Sequence, residues 1–320
     1  MRTKLAVALL PLMLGAETAS APPAAPAQDV RFVTLGTNSG PIPNPERAEP
    51  ANLLKVGDRN ILIDAGDGAA WQLAKAGVHL PEIHTIFISH LHFDHTGGLF
   101  ALISQRYQML EPSPLAIYGP PGTKALVDDL VAAIMASSMG GNNMRAFMPG
   151  DPAANLHVTE LTDGAEVALG DVKVKAVRNT HYVATPGGDA PDALSFAYRF
   201  DTPHRSVVFT GDTGPSEAVE QLAKGADLLV AEVMDPDISL VSIFADNPDT
   251  PMMIRDMIAD HFRREHLSPQ EVGEMARRAG VKQLVLTHDA IPDDDIPAAR
   301  ETIAKYYAGP FAFANDLDSF

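Results

Sequence analysis

The sequence predicts an α/β fold in which helices cover two stacked β-sheets. Short β-branched runs alternate with longer segments of helical periodicity along most of the chain, as expected when helices pack on a pair of sheets. Two stretches also resemble each other. The segments 59–75 and 205–224 each contain an apolar strand, an aspartate and a helix that ends in Gln-Leu-Ala-Lys. This repetition indicates a duplicated architecture.

Local composition predicts the individual elements. Runs rich in Val, Ile, Leu and Phe predict strands at 30–36, 52–56, 60–64, 84–89, 115–119, within 157–177 and 194–210, and at 227–232 and 282–287. Apolar residues at helical spacing predict helices at 68–76, 97–105, 121–137, 215–224, 251–264, 269–279 and 296–307. The stretch Gly40 to Pro45 is predicted to be a loop because its prolines and glycine oppose regular pairing.

The densest group of chemically active residues follows the strand at 84–89. Residues 89–95 read SHLHFDH and place three imidazoles and a carboxylate within six positions. His90 and His92 can turn toward one ion, whereas Asp94 and His95 are placed to hold a second. Zinc accepts imidazole nitrogen and carboxylate oxygen as ligands. The spacing therefore predicts a metal-binding loop rather than a set of solvated histidines.

This motif resembles the His-x-His-x-Asp-His signature of the metallo-β-lactamase superfamily. The resemblance implies a further histidine, a bridging aspartate and a last histidine, and three later strands end in such residues in that order. The implied ligands are His90, His92 and His181 for one metal, Asp94, His95 and His288 for the other, and Asp212 as the bridge. The implied fold is a four-layer αββα metallo-β-lactamase sandwich of two similar halves.

The resemblance also implies two divalent metal ions as cofactors. We expect zinc, and manganese or iron stay open because nitrogen and oxygen ligands admit each of them. The chain has no cysteine, so thiolate ligands are excluded. Two such ions about 3.5–4 Å apart can share a water and lower its pKa toward about 7. The expected nucleophile is this metal-bound hydroxide, oriented by Asp94 as a catalytic residue.

Further motifs resemble the ribonuclease Z and arylsulfatase-like branch of the superfamily. They are LGT at 35–37, IDAG at 63–66, IYGPPG at 117–122 and HLS at 266–268. In that branch the histidine of the His-x-Ser/Thr motif lies beside the metals and assists the leaving group. The resemblance therefore makes His266 the second expected catalytic residue. Ser268, Pro269 and Glu271 form a helix-capping pattern that would fix its turn.

Charge and loop composition favour a small substrate. The formal net charge is −17 and the chain has no run of basic residues, whereas nucleic-acid binding depends on clustered Lys and Arg. No basic arm like that of the transfer-RNA-processing members interrupts 145–175, and the loop at 44–51 resembles that of secreted arylsulfatase-type members. We therefore expect no nucleic-acid partner, and a small-molecule sulfate or related ester with an apolar aryl or alkyl group as substrate.

Other functions stay open at this point. The same metal site would serve a lactonase, a phosphodiesterase or a β-lactam hydrolase. A protein of another class, which binds metal without catalysis, is the further alternative, although the complete ligand set argues against it.

The first 27 residues have the pattern of a secretory signal peptide. Arg2 and Lys4 precede an apolar stretch at 5–14 that is too short to span a bilayer. Cleavage is expected after Ala27, which leaves a single hydrolase domain over 28–320 and a periplasmic or secreted location. An N-terminal membrane anchor is the alternative. No later stretch approaches 18 apolar residues, so no membrane contact is expected after the signal peptide is removed.

Two methionine-rich segments, 135–148 and 234–257, contain eight of the twelve methionines. Methionine is flexible and polarisable, which suits an adaptable apolar wall. The segments are predicted to line the pocket, and the glycines of the first would let it move as a lid. Core filling or a homodimer contact are the alternatives.

Overall fold

The computed structural model describes residues 29–40, 42–138, 150–182 and 193–320, whose strands form two sheets. The first sheet contains, in spatial order, β1 (Val30–Gly36), β2 (Ala51–Val56), β3 (Arg59–Ala65), β4 (Ile83–Phe87), β5 (Leu115–Gly119) and β6 (Leu156–Glu160). The second contains β13 (Phe311–Phe313), β12 (Leu284–Asp289), β11 (Leu228–Val233), β10 (Ser206–Phe209), β9 (Phe196–Asp201), β8 (Val172–Arg178) and β7 (Glu166–Leu169).

Helices cover the outer face of each sheet. In chain order the helices of the described residues are α1 (Ala69–Lys75), α2 (Phe93–Thr96), α3 (Leu99–Gln108), α4 (Thr123–Ser138), α5 (Glu217–Leu222), α6 (Pro236–Asp246), α7 (Met252–Glu265), α8 (Pro269–Ala279) and α9 (Ile296–Tyr306). Apolar residues of α1, α3 and α4 pack on the first sheet, and those of α5, α8 and α9 on the second. A third apolar cluster lies between the sheets. The predicted αββα sandwich is confirmed.

Aromatic side chains fill the space between the two sheets. Phe87 on β4 stacks on Tyr118 at a centroid distance of 4.8 Å, and its ring meets Tyr198 and Phe200 of the second sheet edge-on at 5.2 and 5.4 Å. Such pairs add stabilisation beyond the area they bury. They fix the distance between the sheets and therefore the position of the strand ends.

Parallel strands bring the polar residues of the sequence motifs to one edge. Strands β3 to β6 run parallel to one another in the first sheet, and β10 to β13 do so in the second. The carboxyl ends of parallel strands share an edge, where α/β proteins bind their ligands. The segments after β3, β4 and β10, and the last residues of β11 and β12, lie at this edge.

The predicted elements agree with the structure to within a few residues, with three omissions. Helix α2, which lies in the predicted metal-binding loop, helix α6 and strand β13 were not predicted. The predicted signal peptide lies outside the described residues and stays a prediction, as does export. In the part of the chain that the structure describes, no helix has both the length and the apolar character needed to cross a membrane.

Replacing Phe87 by Ala tests the role of the aromatic layer. The side chain is fully buried, and removal of a buried phenylalanine side chain costs about 3–5 kcal/mol of unfolding free energy. Denaturant unfolding would measure the loss. The matched control is Met109→Ala, since Met109 is 52% exposed and should change stability by no more than about 0.5 kcal/mol. Equal effects of the two substitutions would contradict this account of the interior.

Candidate metal centre

A buried carboxylate organises the loop that follows β4. Asp64, at the end of β3, accepts hydrogen bonds from the Ser89 backbone N–H at 2.7 Å and from the Ser89 hydroxyl at 2.8 Å. Its Oδ2 also lies 2.8 Å from Nδ1 of His95. This contact fixes the orientation of the His95 ring and turns Nε2 toward the cavity, as buried carboxylates do for metal-binding histidines.

Three imidazoles form the first group of candidate ligands. Nδ1 of His92 lies 3.0 Å from Nε2 of His90 and 3.1 Å from Nε2 of His181. The Nδ1 atoms of the other two rings have partners of their own: Nδ1 of His90 lies 3.0 Å from the Ser89 hydroxyl, and Nδ1 of His181 lies 3.2 Å from the Glu265 carbonyl. Both Nδ1 atoms therefore act as donors, and both Nε2 atoms present lone pairs to one point.

Burial keeps this first group neutral. It lowers the pKa of His90 and of His181 well below the usual histidine value, and it lowers the pKa of His92. The neighbouring His95 lowers the pKa of His90 further, against the opposing effect of Asp212. Neutral imidazole is the protonation state that a metal ion requires of its histidine ligands.

Two carboxylates and two imidazoles form the second group. Oδ2 of Asp94 lies 3.5 Å from Nε2 of His95 and 3.3 Å from Nε2 of His288. Asp212 contacts the same two rings, with Oδ1 3.3 Å from His95 and Oδ2 3.4 Å from His288. The four side chains surround a single small space whose ligand atoms all lie within 4.8 Å of one another.

Asp212 joins the two groups. Its Oδ2 lies 3.8 Å from Nε2 of His90 and 4.0 Å from Nε2 of His181, in addition to its contacts with the second group. The preceding Gly211 has a φ of 59°, and a Cβ there would lie 2.9 Å from the Phe196 carbonyl oxygen. The backbone can therefore deliver Asp212 to this position only where residue 211 has no side chain.

The buried carboxylates of the second group require a neighbouring positive charge. His95 Nε2 and Asp212 Oδ1 are buried and have no hydrogen-bond partner among the described residues. Burial alone would lower the pKa of His95, but the carboxylates of Asp212, Asp64 and Asp94 outweigh it and raise that pKa well above its usual value. Carboxylates that draw a proton onto a buried imidazole also draw a metal cation, so these residues fit a divalent metal ion.

The structure places all seven sequence-predicted ligands in these two groups and brings His266 beside them. His266 lies next to His181, with 5.1 Å between ring centroids, and can also join His181 and Asp212 in a third set of ligand atoms. Its Nδ1 lies 2.7 Å from Oε2 of Glu232. Ser268 caps helix α8 with Glu271 in a complete capping box, as predicted, and so fixes the turn that carries His266.

Glu232 is a site residue that the sequence analysis missed. It lies on β11 in the run LLVAEV, which is buried throughout, and its Oε1 accepts the Thr213 backbone N–H at 2.5 Å. Burial, with Asp212 adding to it, raises the pKa of Glu232 well above its usual value, and burial lowers the pKa of His266. A lone carboxylate in an otherwise apolar strand was the available signal, because buried acids require a partner.

A cavity of about 540 Å³ opens onto the two groups. Its wall includes Ile42, Phe93, Ile243, Phe262 and Met234, together with Asp94, Asp212, His266 and His288. The second methionine-rich segment therefore lines the cavity only in part, since Met252, Met253 and Met257 are exposed at 71%, 71% and 63%. That segment folds into two helices, which divide its apolar residues between faces. Residues 139–148 of the first segment lie outside the described residues.

Comparisons with known proteins agree with this geometry. A family model described as Beta-lactamase superfamily domain matches residues 59–288. Ribonuclease Z from Mycobacterium avium (strain 104) is 31% identical over 293 residues, which cover 90% of this chain and 96% of that protein. The metallo-beta-lactamase fold protein YhfI from Bacillus subtilis superposes with a TM-score of 0.65 at 18% identity, over 91% of this chain and 98% of that one. Human tRNase Z, short form, gives a TM-score of 0.61 at 23% identity, over 91% and 98%.

The chain belongs to the metallo-β-lactamase superfamily. Its matched curated relatives carry the name ribonuclease Z, so the arylsulfatase-like assignment is not supported. The expectation of a small-molecule ester as substrate and of no nucleic-acid partner is contradicted by these relatives. A net charge of −17 does not exclude a nucleic-acid substrate, because it averages the whole surface, whereas binding depends on the local field of the site. The sequence at 145–175 also lacks a basic arm, and the chain nevertheless matches ribonuclease Z relatives over most of its length.

Asp64→Asn tests how the centre holds metal. The amide cannot fix the His95 tautomer as the carboxylate does, and loss of such a partner lowers metal affinity by about 10- to 100-fold. Competition with a chromogenic chelator would measure zinc affinity. Asp171→Asn, at an exposed ion pair with Arg59, is the matched control and should leave the affinity unchanged. Unchanged affinity in Asp64→Asn would show that this carboxylate does not organise the centre.

Proposed function

We propose that this protein is a metal-dependent hydrolase that cleaves phosphodiester bonds in RNA. The observation that carries the proposal is the pair of ligand groups joined by Asp212, in a chain that is 31% identical to ribonuclease Z over nine-tenths of its length. The relatives supply the substrate class, and the site supplies chemistry suited to it.

Each of the two groups would hold one metal ion. His90, His92 and His181 would hold one ion, Asp94, His95 and His288 the other, and Asp212 both. When bound there, two divalent ions would supply Lewis-acid chemistry: polarisation of a phosphodiester, neutralisation of charge on the attacking and leaving oxygens, and a water pKa lowered toward about 7. The residues of the two groups would thereby make the site attractive to a phosphate despite the acidic surface.

Asp94 is suited to orient the attacking water as well as to hold metal. Its carboxylate lies on the cavity wall and accepts the Gly40 backbone N–H at 3.2 Å. Burial would raise its pKa, but His95 and His288 reverse this and lower the pKa below its usual value. Asp94 therefore stays ionised at neutral pH and can accept a hydrogen bond from the water.

His266 and Glu232 are suited to deliver a proton to the leaving oxygen. Nδ1 of His266 is held by Glu232, and the ring faces the cavity. Burial raises the pKa of Glu232 and lowers the pKa of His266. The neutral form of the pair is therefore favoured over the ion pair, and the two side chains together carry one transferable proton. An alkoxide leaving group needs such a proton, whereas a stable phenolate does not.

Metal removal tests the proposed activity. Zinc- or manganese-loaded protein should cleave a 3′-extended transfer RNA transcript or a single-stranded RNA oligonucleotide, and a chelator should abolish cleavage until metal is restored. Asp212→Ala, which removes the carboxylate shared by both groups, should lower the rate at least about 100-fold. Denaturing gel electrophoresis of labelled RNA measures the products.

The same metal-loaded preparation should be offered an aryl sulfate, a lactone and a β-lactam. Turnover of any of these without RNA cleavage would contradict the proposal, as would RNA cleavage that survives in Asp212→Ala.

His266→Ala tests the proton-delivery role. Loss of a general acid lowers kcat by about 10²–10⁴-fold, so RNA cleavage should fall by that factor. Cleavage of bis(p-nitrophenyl) phosphate, whose leaving group needs no proton, should fall much less. Glu232→Gln should give an intermediate loss in the same direction. Equal losses on both substrates, at unchanged metal content, would assign His266 to the metal site instead.

A further inference from the structure

Phe93 is an aromatic side chain that stands in solvent beside the candidate metal centre. It is 87% exposed, and no other large apolar side chain among the described residues is as exposed. It also lies on the cavity wall, between the ligand residues His92 and Asp94. A single exposed apolar residue is ordinary on a protein surface, but this one lies at the mouth of a reactive site.

Hydrogen bonds hold the main chain at Phe93 in place. Phe93 is the first residue of α2, and its carbonyl accepts the Gly97 N–H at 2.6 Å. The preceding His92 carbonyl accepts both the His95 N–H at 3.1 Å and the Thr96 hydroxyl at 2.9 Å. Both sequence neighbours of Phe93 belong to the ligand groups. The Phe93 main chain is therefore tied to the centre, and the ring stands at the mouth of the cavity.

The surroundings of Phe93 suit a flat, partly apolar group attached to a phosphate. The same cavity is lined by Ile42, which is 62% exposed, and by Pro43 and Pro45. The next residue, Asp94, belongs to the second ligand group. An aromatic ring next to a site for phosphate is the arrangement by which proteins stack nucleobases, and the stacking tolerates any base because every base has a π-face.

We propose that Phe93 is the stacking platform for the nucleobase next to the phosphodiester that is cut. This inference rests on the proposed function and adds to it a base subsite beside the metals. It makes Phe93 a specificity-determining residue that raises affinity for a phosphate carrying a base over one without it. Coverage of the ring by a second copy of this chain is the competing explanation.

Binding measurements test the subsite without relying on turnover. The ligands are adenosine 5′-monophosphate and ribose 5-phosphate, which differ in the base, and the proteins are metal-loaded wild type, Phe93→Ala and Phe93→Tyr. Calorimetry should show that wild type and Phe93→Tyr prefer the nucleotide by about tenfold, within the range of base–aromatic stacking. Phe93→Ala should bring the two affinities within about twofold.

Two controls make the result specific. Metal content is measured for every variant, because Phe93 lies between two candidate ligands. Trp71→Ala removes another exposed aromatic ring, 67% exposed on α1 and outside the cavity, and should keep the wild-type preference.

Several outcomes would overturn the inference. They are an unchanged preference in Phe93→Ala, no preference or no binding in wild type, an equal loss of both ligands, and a changed oligomeric state with unchanged binding, which would assign the ring to a dimer contact. A preference that depends on Phe93 in a protein that cleaves no RNA would instead keep the subsite and reject the proposed function.

Discussion

A buried convergence of acids and imidazoles is the physical constraint around which the candidate metal centre is built. Asp94 and Asp212 face the same two histidine rings at 3.3–3.5 Å, and three more imidazoles meet at 3.0–3.1 Å beside them. Carboxylates and lone pairs held this close, away from water, repel one another unless positive charge lies between them. A divalent ion satisfies that requirement in each group, and the fold brings the groups together to share one carboxylate.

The fold supports this convergence from both halves. The aromatic layer around Phe87 fixes the distance between the sheets, and parallel strands of each sheet end at the shared edge. Two residues at this edge adopt strained backbone conformations, with φ of 58° at Asp64 and 46° at His288. Such strain costs about 1–3 kcal/mol at each residue and persists where the surrounding structure requires it. Here the remainder of the sandwich stabilises a site that would not form alone.

Features that depend on neighbouring residues in the chain could be predicted from the sequence. Features that depend on contacts between distant residues could not. The motif at 89–95 could be read from its local spacing. The resemblance to the metallo-β-lactamase superfamily then implied His181, Asp212 and His288, each of which follows an apolar run. The sequence offered a signal that Glu232 is a buried acid, but not which residue it contacts, since its partner His266 is 34 positions away. The faces of α6 and α7 were unpredicted because apolar content does not say which side meets the cavity. The expectation of no nucleic-acid partner, which the ribonuclease Z relatives contradict, rested on net charge, a global quantity, whereas recognition is local.

Anomalous diffraction from crystals grown with zinc tests the proposed dinuclear centre. We expect two anomalous peaks about 3.5–4 Å apart, with one peak among His90, His92 and His181, the other among Asp94, His95 and His288, and Asp212 contacting both. Ligand distances should be about 2.0–2.2 Å. A fully folded protein that shows a single peak, no peak, or peaks only at other residues would rule out this centre.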